Sequence, residues 1–235
     1  MLGINLFNRP NIIPNIAEQK PARSRGKAAS IKVISDGTIG MRLQALALGE
    51  AIKTSMHPAT NLEDIIATPP TLLRHFPRLA RYLPISLLPV MVGPKLAGLS
   101  ISNPVIIITC GRRMAGLSIA MQRLGRSNAN EERTRTIHIQ DPRLPPQYFD
   151  ILIAPKHDPT RGPNVVTCMA SLNRLSDGMI SHAANALAPK WTSLPAPCIA
   201  VMLGGDNRRY NISPAMIEKM AEKLRHFAAS TSASF

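Results

Sequence analysis

Residues 104–113 read Pro104-Val105-Ile106-Ile107-Ile108-Thr109-Cys110-Gly111-Arg112-Arg113, and this stretch decides the fold. Its near-continuous β-branched run has no polar face, which marks a strand covered on both sides, as in a parallel sheet. The run stops at Cys110-Gly111, and Arg112 to Leu124 has helical character. The same unit recurs on either side of it. Ile31–Ser35 reads as a short strand ending at Asp36-Gly37, and Gly40 precedes a helical stretch over Gln44–Ile52. Thr136–Ile139 ends at Gln140-Asp141-Pro142, and Ile151–Ala154 ends at Pro155 and the pair His157-Asp158. A fifth strand is expected over Ile199–Leu203, closed by Gly204-Gly205, with helices near Ser176–Leu187 and Pro214–Ala229. The region from Pro69 to Pro104 is too rich in proline for one long helix. Short apolar strands alternating with helices predict an α/β fold with a mostly parallel sheet.

A length of 235 residues predicts one or two domains. The 45% apolar and 18% charged content is that of a globular chain and excludes wholesale disorder. A boundary is expected at the proline-rich link Trp191–Pro197, giving a domain over 31–194 and a further segment over 195–235. Cys110, Cys168 and Cys198 are widely spaced, so the sequence offers no disulfide framework and no paired metal ligands. No apolar run reaches the ~18 residues of a membrane span. The expectation is a soluble, cytoplasmic protein with no metal site.

Lys and Arg number 28 against 14 acids, a net charge of +14. The excess is uneven. Residues 1–30 form a basic segment with one acid, Glu18, and no secretory apolar block, and are read as a flexible tail. Between Asp64 and Glu131 there is no acid at all, while Arg74, Arg78, Arg81, Lys95, Arg112, Arg113, Arg123 and Arg126 fall inside that window. Such a surface attracts phosphate on a nucleotide, a nucleic acid or a lipid headgroup. The nine aromatic residues form no base-stacking motif, so nucleic acid is disfavoured.

In an open parallel sheet, ligands bind beyond the carboxyl ends of the strands, where helix N-termini present free N–H groups. The unusual residues sit at those ends. Asp36-Gly37 and Gly40 follow the first strand; they form either a ligand loop or a tight turn. Gly111-Arg112-Arg113 places two guanidiniums at a helix N-terminus, where the dipole repels cations unless an anion intervenes. Gln140-Asp141-Pro142-Arg143 is a cleft loop or an Asp-initiated turn. His157 is the candidate acid/base, with Asp158 beside it. Gly204-Gly205 would let a backbone approach a ligand, with Asp206 as a hydroxyl contact. His138 reads as a satisfied core residue and Cys110 as a small buried one. From Leu72 to Ile101, apolar residues alternate with Arg74, Arg78 and Arg81, which suits either core packing under a proline-rich loop or a surface dipping into anionic lipid.

Taken in order, Ser35-Asp36-Gly37, Gly40 and Gln44-Ala45-Leu46, then Cys110-Gly111-Arg112-Arg113, Gln140-Asp141-Pro142-Arg143, His157-Asp158, Arg161-Gly162-Pro163-Asn164-Val165 and Gly204-Gly205 resemble the elongated-mitochondria (mitochondrial fission) family. The likeness runs from about Ile31 to the last residue. It implies a glycosyltransferase-B-like architecture of two Rossmann-like domains facing across a cleft, with no metal or cofactor. It also implies that 195–235 is the incomplete start of the second domain in a C-terminally truncated chain. By the same resemblance, a sugar nucleotide is the expected ligand. Asp36, Gly37, Gly40, Gln44, Gly111, Arg112, Arg113, Gln140, Arg143, Asn164, Gly204, Gly205 and Asp206 would be its binding residues, and His157, Asp158 and Asp141 the catalytic group. Plant members are associated with mitochondrial division, which gives the alternative: a non-catalytic adaptor, peripheral at an anionic membrane. Met41-Arg42-Leu43 departs from the polar residues often found there in the family. Oligomeric state is left open.

Overall fold

The computed structural model describes residues 30–56, 58–101, 105–127, 134–204 and 210–234. The described residues through Arg174 form one compact unit and those from Leu175 a second. The division precedes the proline-rich link at which the sequence places a boundary, so the helix starting at Asp177 falls in the second unit.

The first unit is built on six strands: β1 (Ser30–Ser35), β2 (Asn61–Ile66), β3 (Val105–Cys110), β4 (Arg135–Ile139), β5 (Ile151–Pro155) and β6 (Val165–Cys168). They form one sheet in the order β2-β1-β3-β4-β5-β6, with every pair parallel. Rossmann-like α/β is thus the observed class. β3 lies at its centre, in register from Ile106 opposite Ile31 to Thr109 opposite Ile34. Alternate side chains of the strands feed two cores. Helix α1 (Ile39–Ser55) covers one face, where Ile31, Val33, Ala45, Ile108, Ile137 and Ile139 are buried together. On the other face α6 (Ala115–Ser127) packs with Ile34 and Ile107, and carries Leu117, Ile119, Ala120, Met121 and Leu124 into the core. Above α6 lie α2 (Thr71–His75), α3 (Leu79–Tyr82) and α4 (Leu88–Val92), while α5 (Pro94–Ile101) packs beside it. These short helices are what the prolines between Pro69 and Pro104 permit.

Close approach explains two glycines. A Cβ on Gly116 would lie 2.3 Å from the backbone oxygen of Leu73, so α2 can sit on α6 only at this position. A Cβ on Gly125 would lie 2.5 Å from the Thr134 Cβ. Polar anchors complete the layer. The Arg123 guanidinium donates to the carbonyls of Ala80 at 2.8 Å and Leu83 at 2.6 Å, holding the end of α3 to α6. Asp150, ahead of β5, accepts from Gln122 at 3.0 Å, Arg126 at 2.5 Å, and the Thr136 amide and hydroxyl at 2.8 and 3.0 Å.

Two strands escape the sequence pattern. β2 carries Glu63 and Asp64 and β6 is only four residues long; both are edge strands, whose outer sides need no continuous apolar run. In the second unit, α7 (Asp177–Trp191) and α8 (Pro214–Thr231) form where expected, each capped by a serine hydroxyl accepting from the backbone. The strand expected over Ile199–Leu203 does not form. The ladder there is a single bridge, Cys198 to Ser234, and among the described residues no strand lies beside the apolar run to pair with it.

Candidate functional site

Because the six strands are parallel, all their carboxyl ends reach one edge. The strand order reverses between β1 and β3, and α1 leaves over one face while α6 leaves over the other. The two loops part at that point and a crevice opens between them. A cleft of about 560 Å³ occupies it. Asp36 and Thr38 enter it after β1, Gly111, Arg112 and Arg113 after β3, Gln140 and Asp141 after β4, His157 and Asp158 after β5, and Ser171 after β6, with Met41 and Cys110 also lining it. An adjoining lobe of about 530 Å³ shares Arg112, Asp141 and Asp158 and adds Arg78, Arg143 and Thr160.

The loops are held in conformations that side chains rarely adopt. Gly37 and Gly111 have φ of 82° and 86°, in the left-handed region open to glycine. A Cβ at Gly111 would also lie 3.1 Å from the Met41 sulfur. Gln140 and Arg143 take φ of 74° and 56° without being glycine, a cost that folded structures concentrate at functional loops. Local bonds hold them there. The Gln140 amide donates to the Ile153 carbonyl at 2.7 Å, and the Arg143 amide to the Asp141 carboxylate at 2.7 Å. The loop after β5 is tied by Arg161, which donates to the carbonyls of Asp158, Thr160 and Lys156 at 2.5, 2.7 and 2.8 Å.

Charge in the cleft is mixed, with a cationic surplus. Asp36 accepts from the Thr38 amide at 3.1 Å and faces Arg113 at 3.6 Å. Partial burial pushes its carboxyl upward, but the hydrogen bonds from Thr38 and the Arg113 charge outweigh it, and the net shift is downward. Arg112 reaches the Asp141 carbonyl at 3.5 Å. Against three carboxylates, Asp36, Asp141 and Asp158, stand four guanidiniums: Arg78, Arg112, Arg113 and Arg143. Helix α1 starts beside Asp36 with no side-chain cap and no acid in its first turn, so its N-terminal dipole adds to the positive field. The site therefore favours an anion.

His157 Nε2 lies 3.7 Å from the Asp158 carboxylate, with the imidazole 78% exposed. The ring is therefore open both to solvent and to a ligand in the cleft. Cys110 is a poor nucleophile: burial, and secondarily the Asp36 charge, push its thiol up to about 12. His138 is a core residue, stacked on Phe149 at 4.9 Å and bonded through Nδ1 to the Thr109 hydroxyl at 2.8 Å. Its Nε2 has no partner, so the core satisfies one ring nitrogen only. Burial lowers its pKa to about 3, against the pull of Asp141.

Other sequence candidates fall elsewhere. Gln44 is buried in α1 and bonds the Gly40 carbonyl at 3.3 Å; a Cβ on Gly40 would meet open space. Asn164 donates to the carbonyls of Pro146 and Phe149 at 2.8 and 2.9 Å, bracing the β4–β5 connection. Gly204 belongs to the second unit, and Gly205 and Asp206 lie outside the described residues. Thr38, Met41, Arg78 and Ser171 also line the cleft without belonging to the ligand residues that the motifs mark. Thr38 lies inside the Asp36–Gly40 motif and was legible; Arg78 arrives from the β2–β3 crossover, which no strand-end motif marks. Among the described residues no group of three or more His, Cys, Asp or Glu could hold a metal ion, and no helix is long and apolar enough to cross a membrane.

The family model described as Mitochondrial fission ELM1 matches residues 39–235. The chain is similar to the mitochondrial fission protein ELM1 of Arabidopsis thaliana, 23% identical over 150 residues, covering 54% of this chain and 34% of that protein. It thus spans about a third of the length of the curated relative it matches. No solved structure gives a significant match.

Proposed function

The chain belongs to the mitochondrial fission ELM1 family, and from that premise we propose that its cleft binds the phosphates of a sugar nucleotide in a glycosyltransferase-like site. The observation that carries the reading is the placement of Arg112 and Arg113. Both open a helical segment at the point where the strand order reverses, Arg113 beside Asp36 and Arg112 beside the Asp141 carbonyl. Both remain exposed to the cleft, where an anion would gain from two guanidiniums and the helix N-terminus together. In the reaction, an acceptor hydroxyl attacks the anomeric carbon and its proton passes to His157. The bond from that carbon to the diphosphate oxygen breaks, and the diphosphate leaves with the electron pair. The guanidiniums and the α1 N-terminus stabilise the charge that develops on it. Asp36 pairs with Arg113, and the Asp158 carboxylate beside His157 offsets the positive charge that forms on the imidazole.

The test is equilibrium dialysis of a panel of uridine, guanosine and adenosine diphosphosugars against the chain and its Arg112→Ala/Arg113→Ala variant. Binding of one nucleotide class by the parent, weakened at least about tenfold in the variant, is the expected result. Equal binding by both proteins, or none by the parent, rejects the reading.

A further inference from the structure

The segment from α2 to α4 carries two sets of apolar side chains. Leu73, Ala80, Leu88 and Val92 are buried in the core around α6. Leu72, Phe76, Tyr82, Ile85, Leu87 and Val90 are exposed, Phe76 to 61%, Tyr82 to 73% and Val90 to 80%. Since α2, α3 and α4 all contact α6, the segment is anchored there through its buried set and leaves the second set at the surface. Single exposed apolar residues are ordinary, but several large ones on so short a segment are not.

The surroundings select the partner. Arg74, Arg78, Arg81 and Lys95 lie on the same segment, and no acid occurs between Asp64 and Glu131 to repel an anionic surface. Tyr82 is pinned by a hydrogen bond between its hydroxyl and that of Tyr148 at 3.1 Å, and Arg123 fixes the end of α3 through the Ala80 and Leu83 carbonyls. The face is therefore preformed. Amphipathic surfaces with basic residues beside aromatic and aliphatic ones seat at the headgroup–acyl boundary, where long basic side chains reach back to phosphate.

We propose that this face docks on an anionic lipid bilayer, with Phe76, Ile85 and Val90 entering the acyl boundary and Arg74, Arg81 and Lys95 pairing with headgroup phosphates. Arg78 also lines the second lobe of the cleft, so docking sets the cleft beside the lipid surface. The inference is independent of the sugar-nucleotide reading.

Cosedimentation of the full chain with vesicles of phosphatidylcholine, alone or mixed with phosphatidylglycerol, tests it. The variant Phe76→Ser/Ile85→Ser/Val90→Ser keeps the net charge and every cleft residue, and its melting temperature checks that it folds. The parent should bind the mixed vesicles and not the neutral ones, and the variant should bind about tenfold less tightly or worse. A variant that binds as the parent does would assign attraction to charge alone and overturn the proposal. So would a parent that ignores anionic vesicles, or one that self-associates through the face without binding them. Val90→Trp combined with Trp191→Phe gives an independent readout: brominated acyl chains should quench the single indole, and an unquenched indole contradicts insertion.

Discussion

At the residue scale, the cleft depends on a few backbone angles and one carboxylate. Gly111→Ala forces a side chain into a left-handed conformation and against Met41, so unfolding free energy should fall by about 1–2 kcal/mol in urea titration. Asp36 makes a pH prediction whose sign follows from its lowered pKa. The unfolded chain binds the proton more readily, so the contribution of Asp36 is fully present above the ordinary carboxylate pKa near 3.8. It is lost as pH falls below that value through the folded-state pKa. Urea midpoints of the parent should therefore drop more steeply below about pH 4 than those of Asp36→Asn; parallel curves would show that the Thr38 and Arg113 contacts do not act on stability. Residues such as Asp36, Arg112, Asp141 and His157 were legible in sequence because each follows an apolar run whose end is unambiguous. Asn164 and Gln44 sit in similar motifs, but their amide groups brace local backbone, a role that only the fold distinguishes from ligand binding.

At the scale of elements, α6 organises the first unit, and its contacts are unforgiving. Gly116→Ala drives a methyl group into the Leu73 carbonyl, and the overpacking should cost about 3 kcal/mol or more, read as a lowered thermal midpoint. Asp150→Ala strips partners from Gln122, Arg126 and both polar groups of Thr136, and should cost about 2–3 kcal/mol. Retention of parental stability would mean that water replaces the carboxylate. The central strands were legible from their β-branched runs, and α1, α6, α7 and α8 from helical spacing. β2 was hidden by Glu63, which pairs with Lys32 of β1, and by Asp64, which binds Arg42 of α1 at 2.5 Å; these pairings stitch a polar edge that no hydropathy pattern reveals. Ile199–Leu203 shows the converse: its composition is strand-forming, yet among the described residues no strand lies beside it to pair with.

At the scale of the whole molecule, the parallel order β2-β1-β3-β4-β5-β6 turns scattered motifs into one site. The sequence marks where four of these strands end, and the topology brings those ends, with that of β6, to one crevice. Arg78 joins them through the crossover that carries α2–α4, a connection set by tertiary packing and so invisible to strand-end motifs. The central claim is that this crevice recognises nucleotide phosphate. Its most direct test is the thermal midpoint of the purified chain with and without each sugar nucleotide. Ligand at a hundredfold excess over its dissociation constant should raise the midpoint by about 5 °C for one nucleotide class, and the rise should vanish in Arg112→Ala/Arg113→Ala. A midpoint indifferent to every nucleotide, or a rise unchanged in the double variant, would contradict it.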